Sequence, residues 1–178
     1  MIGGRLLRRL RDCTRGVALT EFALCVPVLL VLYLGGVQIS DAIACNRKVT
    51  ITSRAVADLI SQNATMSSSQ INTVLNASTQ VMVPYPASRA LVRVSELTTD
   101  GSGNTTVTWS EAINGSRRTL GSSFTLPPAI KLANSSLIYS EVAYAYQPRI
   151  SLGFIKPLSL TQTVYMVPRV SSSITETP

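Results

Sequence analysis

The sequence contains no histidine, which removes the commonest general base and metal ligand. It also has no Gly-rich phosphate loop, no G-x-S-x-G motif and no S-x-x-K motif, so none of its serines has a recognisable activating partner. Glu96, Glu111 and Glu141 fall on predicted strands, where alternation favours single carboxylates on solvated faces over an acid–base pair. We therefore expect that the protein is not an enzyme and that it needs no cofactor or metal ion.

Charged residues are scarce as well, at 14% of the chain, a proportion typical of exported or membrane-linked proteins. The net charge is +7, but we expect no nucleic-acid partner, because no basic face with interleaved aromatic residues is present. The basic block of the chain lies in residues 1–16, and its arginines are Arg5, Arg8, Arg9, Arg11 and Arg15. A basic block directly before an apolar run predicts that this end of the chain stays in the cytoplasm.

Cysteines are few, and none follows Cys45, so the distal part of the chain has no disulfide framework. The spacing of Cys13, Cys25 and Cys45 matches no zinc-binding pattern. We expect Cys25 to be small apolar filler. For Cys45 we favour a free thiol, with a cross-link between subunits as the alternative.

An apolar run over residues 17–37 is the longest hydrophobic feature, and Glu21 is its one charged residue. These residues number twenty-one, and at the helical rise they extend about 30 Å, which is the thickness of one bilayer core. Pro27 interrupts the run, but proline is tolerated in membrane helices. The run therefore predicts a single membrane-spanning helix.

The helical pattern does not stop after Gly35 and Gly36. Apolar residues continue at mixed three- and four-residue spacings, now alternating with polar and charged ones. This change predicts one long helix over residues 17–63, of which residues 17–37 span the membrane. The second half is amphipathic, so it should bury one face on the domain that follows.

Residues 64–170 have a different period and predict an extracytoplasmic α+β domain. A short helix with a serine N-cap is expected from residues 67–69 onward. Alternating β-branched residues predict a hairpin over 89–112 and two further strands over 136–146 and 158–167. The predicted fold class is therefore α+β, with a long N-terminal transmembrane and amphipathic helix packed on a small antiparallel sheet of about four strands.

Two further expectations concern the third predicted strand and the C-terminal tail. Tyr139, Tyr144 and Tyr146 cluster on the third predicted strand, where we expect core or subunit packing. Residues 171–178 are polar and are predicted to form a disordered tail.

The apolar run offers two cleavage positions. One follows Gly16, on the basic side. The other follows Ala44, after an Ala42-Ile43-Ala44 pattern that a signal peptidase would use. The second cut would release residues 45–178 as an exported binding protein, or as a lipoprotein if Cys45 were acylated. We favour the cut after Gly16, because the other would sever a continuous helical pattern.

The segment Arg-Gly-Val-Ala-Leu-Thr-Glu-Phe-Ala-Leu at residues 15–24 resembles type IV prepilins, and specifically the TadE-like pseudopilins of tight-adherence (Tad/Flp) pilus systems. Those proteins have a short basic leader that ends in Gly, then a Glu five residues past the cut, an aromatic residue and an apolar run with Pro. The matching residues are Gly16, Val17, Glu21, Phe22 and Pro27. The similarity is strongest over residues 14–60, although Val17 is larger than the small residue often found there.

This resemblance implies a pilin-like fold and a structural function as a minor pilin or pseudopilin. A prepilin peptidase would cut between Gly16 and Val17, and Glu21 and Phe22 would take part in assembly. The implied partners are the peptidase, a major Flp-type pilin, other minor pilins, an inner-membrane assembly platform and the lipid bilayer. The implied location is the bacterial inner membrane, with one span, a cytoplasmic N-terminus and a periplasmic or extracellular C-terminal domain, and with possible incorporation in the pilus.

Overall fold

The computed structural model describes residues 14–148 and 157–177. Most of the predicted leader, residues 1–16, thus lies outside the described residues. The chain divides into two compact units, Met1–Asp41 and Ala42–Pro178. The helices and strands, in chain order, are α1 (Thr14–Ser61), β1 (Thr65–Ser67), α2 (Ser68–Thr79), β2 (Ala90–Thr99), β3 (Thr105–Ile113), β4 (Ser135–Tyr146), β5 (Leu158–Met166) and β6 (Thr175–Thr177).

The first long element, α1, is one helix of 48 residues that runs without a break through Pro27. It ends at Ser61 rather than at residue 63. In the second unit it buries a stripe of residues three and four apart, as an amphipathic helix on a core must. The buried residues are Cys45, Val49, Thr52, Ser53, Val56, Ala57, Ile60 and Ser61.

The sheet of the second unit has four antiparallel strands in the order β3-β2-β4-β5. The β2–β3 hairpin is closed by a turn in which Asp100 accepts hydrogen bonds from the backbone N–H groups of Ser102 and Asn104. A register shift follows Glu96, where the pairing of β2 with β3 is irregular. A long helix packed on a four-stranded antiparallel sheet confirms the predicted α+β fold.

Both faces of the sheet are covered. One face packs against α1 and α2, and its core includes Val92, Val142 and Tyr144. The other face carries a smaller cluster around Leu97 and Tyr139, which is covered by the segment between β3 and β4. The expectation of core packing for the three tyrosines is confirmed, since all of them are buried.

The short helix α2 begins as predicted, with serine as its N-cap. The Ser67 side chain accepts a hydrogen bond from the Gln70 backbone N–H, and the Gln70 side chain accepts one from the Ser67 backbone N–H. This reciprocal arrangement is a capping box. Ile71 and Leu75 lie on the buried side of the helix and join the larger core.

The prediction of a disordered tail over residues 171–178 is wrong for the described residues. Thr175–Thr177 form β6, which pairs in parallel with β1. Ile174 is fully buried, and its carbonyl accepts a hydrogen bond of 2.7 Å from the indole N–H of Trp109. Because residues 171–178 are otherwise polar, their composition did not indicate that Ile174 packs in the core.

Candidate functional site

Gly16 and Val17, the predicted processing site, lie in the first turn of the described part of α1. Both residues are exposed. A Cβ added to Gly16 would meet no described atom within 4 Å, so the fold itself places no steric demand for glycine there.

Glu21, the predicted assembly residue, lies one helical turn after Val17. Residues four apart share a helix face, with about 5–6 Å between their Cβ atoms. Glu21 is exposed, and among the described residues no ion pair or hydrogen bond to its side chain is formed. The adjacent Phe22 is 66% exposed. Thr20, which precedes Glu21, donates a hydrogen bond of 2.8 Å to the Val17 carbonyl, so its hydroxyl is bonded within the helix.

The rest of the first unit presents an apolar surface all around α1. The helix is long and apolar enough to cross a membrane, with a mean hydropathy of 2.3 in its most apolar window and no residue of that window buried. Leu19, Leu24 and Tyr33 are each more than two-thirds exposed. Covering a Leu, Val or Phe side chain of this kind is worth about 1.5–3 kcal/mol. Length and composition are therefore compatible with a membrane anchor.

The alternative cut after Ala44 falls at a different kind of position. Ala42 packs against the larger core, and Cys45 is fully buried within it. Both lie inside the continuous helix α1. A peptidase acting there would have to open a helix that carries core residues, and an acyl chain on Cys45 would have to leave that core. Cys45 forms no disulfide with another described cysteine, and its burial disfavours a cross-link between subunits.

The three strand carboxylates do not lie on solvated faces as expected. Glu96 and Glu111 are buried, and Glu141 is mostly buried. Alternation placed them on the correct strands, but both faces of this sheet are covered, so alternation could not separate buried from solvated positions. Each carboxylate has its own polar partners, and none of the three forms a pair with another.

Glu96, on β2, forms hydrogen bonds with β4 and with the C-terminal segment, which are both distant from it in the sequence. One of its carboxylate oxygens accepts a hydrogen bond of 2.5 Å from the Ser136 hydroxyl and one of 2.8 Å from the Ile174 backbone N–H. Buried carboxylates are tolerated only when hydrogen-bonded in this way. Glu96 is therefore a structural residue that anchors the C-terminal segment.

Glu111 lies in a second buried polar cluster. Its carboxylate contacts Arg117 at 2.9 Å and Asn72 at 3.4 Å. Burial raises the pKa of Glu111, which opposes the effect of the Arg117 guanidinium, and a hydrogen bond with Glu176 raises the pKa further. The sequence reasoning missed Glu176, because it assigned this residue to a disordered tail. The hydroxyl of Ser68 donates to Glu176 at 2.7 Å.

Glu141 is bound by two arginines, Arg93 at 2.6 Å and Arg118 at 2.7 Å. Burial alone would raise the pKa of Glu141, but these hydrogen bonds and positive charges outweigh it and lower the pKa below the usual range. The Arg118 guanidinium also lies over the rings of Phe124 and Tyr139, at 5.1 and 5.2 Å from their centroids. These contacts fix the segment between β3 and β4 onto the sheet, which is a structural role.

The architecture defines the class of protein: an apolar helix of anchor length continues into a small α+β domain, as in a pilin-like protein. Residues 16–58 match the family model described as TadE-like protein. This match confirms the resemblance predicted from the sequence and associates the chain with the Tad pilus. It begins at Gly16, covers most of α1 and ends before the sheet. The searches of curated proteins and of solved structures found no match.

Proposed function

We propose that the protein is a minor pilin or pseudopilin that acts structurally, not catalytically, in the assembly of a Tad-type adhesive pilus. A prepilin peptidase removes residues 1–16, and Val17 becomes the N-terminus. The observation that carries the proposal is the position of Glu21, the one carboxylate in the exposed apolar part of α1, one turn from Val17, within the TadE-like segment.

The physical argument concerns the cost of this carboxylate. In a helix that spans a membrane, an ionised side chain removed from water is costly, and such residues are usually paired. Cleavage after Gly16 creates an α-amine at Val17, on the same helix face as Glu21. That amine, on the same chain or on a neighbouring subunit, supplies the opposite charge. Phe22 adds an exposed apolar contact beside the pair.

The proposal includes the location and the partners implied by the resemblance. The basic leader keeps the N-terminus in the cytoplasm, α1 crosses the inner membrane once, and the domain that starts at Ala42 lies outside the cytoplasm. The partners are the prepilin peptidase, the major Flp-type pilin, other minor pilins and the assembly platform in the membrane. The alternative, an exported protein or lipoprotein cut after Ala44, has less support, because that cut falls among the core residues of α1.

The assembly role is tested by Glu21→Ala in the host, with pili counted by electron microscopy and the membrane content of the protein measured by immunoblot. We expect normal insertion and normal processing but strongly reduced piliation. Thr20→Val is the matched control, since it alters the adjacent polar residue without touching the charge, and it should leave piliation unchanged. Normal piliation in Glu21→Ala would overturn the pairing argument.

A further inference from the structure

The two edge strands of the sheet differ in whether their outer backbone groups form hydrogen bonds. The edge strand β3 is covered by the segment that follows it: the backbone N–H of Val107 bonds to the Ser122 carbonyl, and the backbone N–H of Phe124 bonds to the Thr105 carbonyl. The other edge strand, β5, pairs only with β4 among the described residues. Its outer row of backbone groups is therefore open within the described part of the chain.

An open edge of this kind is normally protected. Soluble proteins blunt edge strands with charged residues, with proline, with a bulge or by keeping the strand short. The segment Leu158–Met166 has nine residues, contains no charge, no proline and no glycine, and keeps a regular register with β4. Since none of the usual protections is present within β5, its edge is suited to pairing with a further strand.

An apolar groove lies beside this edge, between β5 and the second half of α1. It has a volume of about 490 Å³ and is lined mainly by apolar atoms. Val164 and Met166 contribute from β5, and Ile51 and Ala55 contribute from α1. Ile51 is 54% exposed, so the groove is accessible to a further side chain. A strand added at the edge could place alternate side chains in the groove.

The charges at the groove indicate the chemistry of its occupant. Arg54 and Asp58 line the groove one helical turn apart. Asp58 is already bound by Arg169 at 2.6 Å. Arg54 is exposed and forms no ion pair with any residue in 14–148 or 157–177. The groove therefore offers an unneutralised guanidinium to an incoming carboxylate.

We propose that the outer edge of β5 and this groove bind an extended segment of a second, different protein chain. The segment adds to the sheet as a further strand, places apolar side chains against Ile51 and Val164, and places a carboxylate beside Arg54. The site belongs to the domain and does not depend on where the leader is cut, so this inference goes beyond the proposed function.

A second copy of this chain is a poorer occupant because of its charge. The strand β5 has no acidic residue to face Arg54. A second copy would therefore leave the guanidinium of Arg54 without a counter-charge.

The test is photo-cross-linking of the full-length protein in its host. Benzoylphenylalanine is placed at Thr161, an exposed position on β5, and the adducts are mapped by mass spectrometry. We expect an adduct with a defined segment of another protein that has alternating apolar residues and an Asp or Glu. The same probe at Thr106, on the covered edge β3, should give no such adduct.

Charge reversal provides the second arm. Arg54→Glu should lower the yield of the adduct about tenfold, or about 1.4 kcal/mol, because it replaces an attraction to the incoming carboxylate with a repulsion. Arg47→Glu changes another exposed arginine on α1 and should leave the yield unchanged. An adduct with a second copy of this chain, an adduct with lipid alone, no adduct, or an equal yield in Arg54→Glu would each overturn the proposal. The mature N-terminus measured in the same samples reports on the proposed function separately.

Discussion

The carboxylate of Glu96 accepts a hydrogen bond of 2.8 Å from the backbone N–H of Ile174. These residues are 78 positions apart, and their contact joins the middle of the sheet to the end of the chain. Because both are buried, the contact makes the polar C-terminal segment part of the core. The stability of the domain should therefore depend on residues that look dispensable in the sequence.

We expect Glu96→Ala to lower the free energy of unfolding by about 1–3 kcal/mol, because it leaves the buried Ile174 N–H and the Ser136 hydroxyl without their acceptor. Glu96→Gln keeps an acceptor oxygen and should cost less. The measurement is denaturant unfolding of the full-length protein in detergent, followed by the fluorescence of the single tryptophan, Trp109. An unchanged midpoint in Glu96→Ala would show that the contact carries no stability.

Ile174 provides an independent test of the ordered tail. Ile174→Ala should lower the free energy of unfolding by about 2–5 kcal/mol, the usual cost of such a cavity in a core. It should also shift the emission of Trp109 to longer wavelength, because loss of the buried side chain loosens the segment whose Ile174 carbonyl accepts the indole N–H and admits water to the ring. Val170→Ala is the matched control in the same segment, because Val170 is 65% exposed. Equal stability of the two variants would favour the disordered tail.

The buried cluster around Glu111 predicts a pH dependence of stability. The folded-state pKa of Glu111 is raised above its ordinary value of 4.5 by burial. The stabilisation linked to its protonation is therefore complete below pH 4.5 and is lost as the pH rises through the folded pKa. We expect the free energy of unfolding to fall between pH 4.5 and neutrality, and we expect Glu111→Gln to reduce this fall.

The pH dependence of stability that is linked to Glu141 has the opposite sign to that linked to Glu111. Its pKa is lowered by Arg93 and Arg118, so its contribution is present above pH 4.5 and is lost as the pH falls through the folded pKa. Glu141→Gln should change the free energy of unfolding at neutral pH. The fall of that free energy with rising pH above pH 4.5 should remain. If Glu111→Gln retained the full slope, the assigned pKa direction would be wrong.

The long helix and the four strands could be predicted because their signals are local. An apolar run with one charge, a three-to-four spacing and alternating β-branched residues each fix an element without knowledge of its neighbours. The burial of Glu96 and Glu111 could not be predicted, since it depends on a loop and a tail that cover the sheet. The role of Ile174 depends on a contact with Trp109 that is 65 residues away. The open edge of β5 required the strand order.

The processing site was predicted from a sequence motif. The structure adds that an alanine side chain at Gly16 would meet no steric hindrance from the described residues. Because a Cβ at Gly16 meets no described atom within 4 Å and alanine is the better helix former, Gly16→Ala should leave the fold intact and should not lower its stability. A failure to mature in this variant would therefore reflect recognition by the peptidase and not misfolding. The unfolding midpoint of the purified variant checks this directly.

The intact mass of the protein purified from host membranes tests the central claim most directly. The account predicts a wild-type chain that begins at Val17 and a Gly16→Ala chain that retains residues 1–16. A wild-type chain that begins at Cys45, or a Gly16→Ala chain that still begins at Val17, would contradict it.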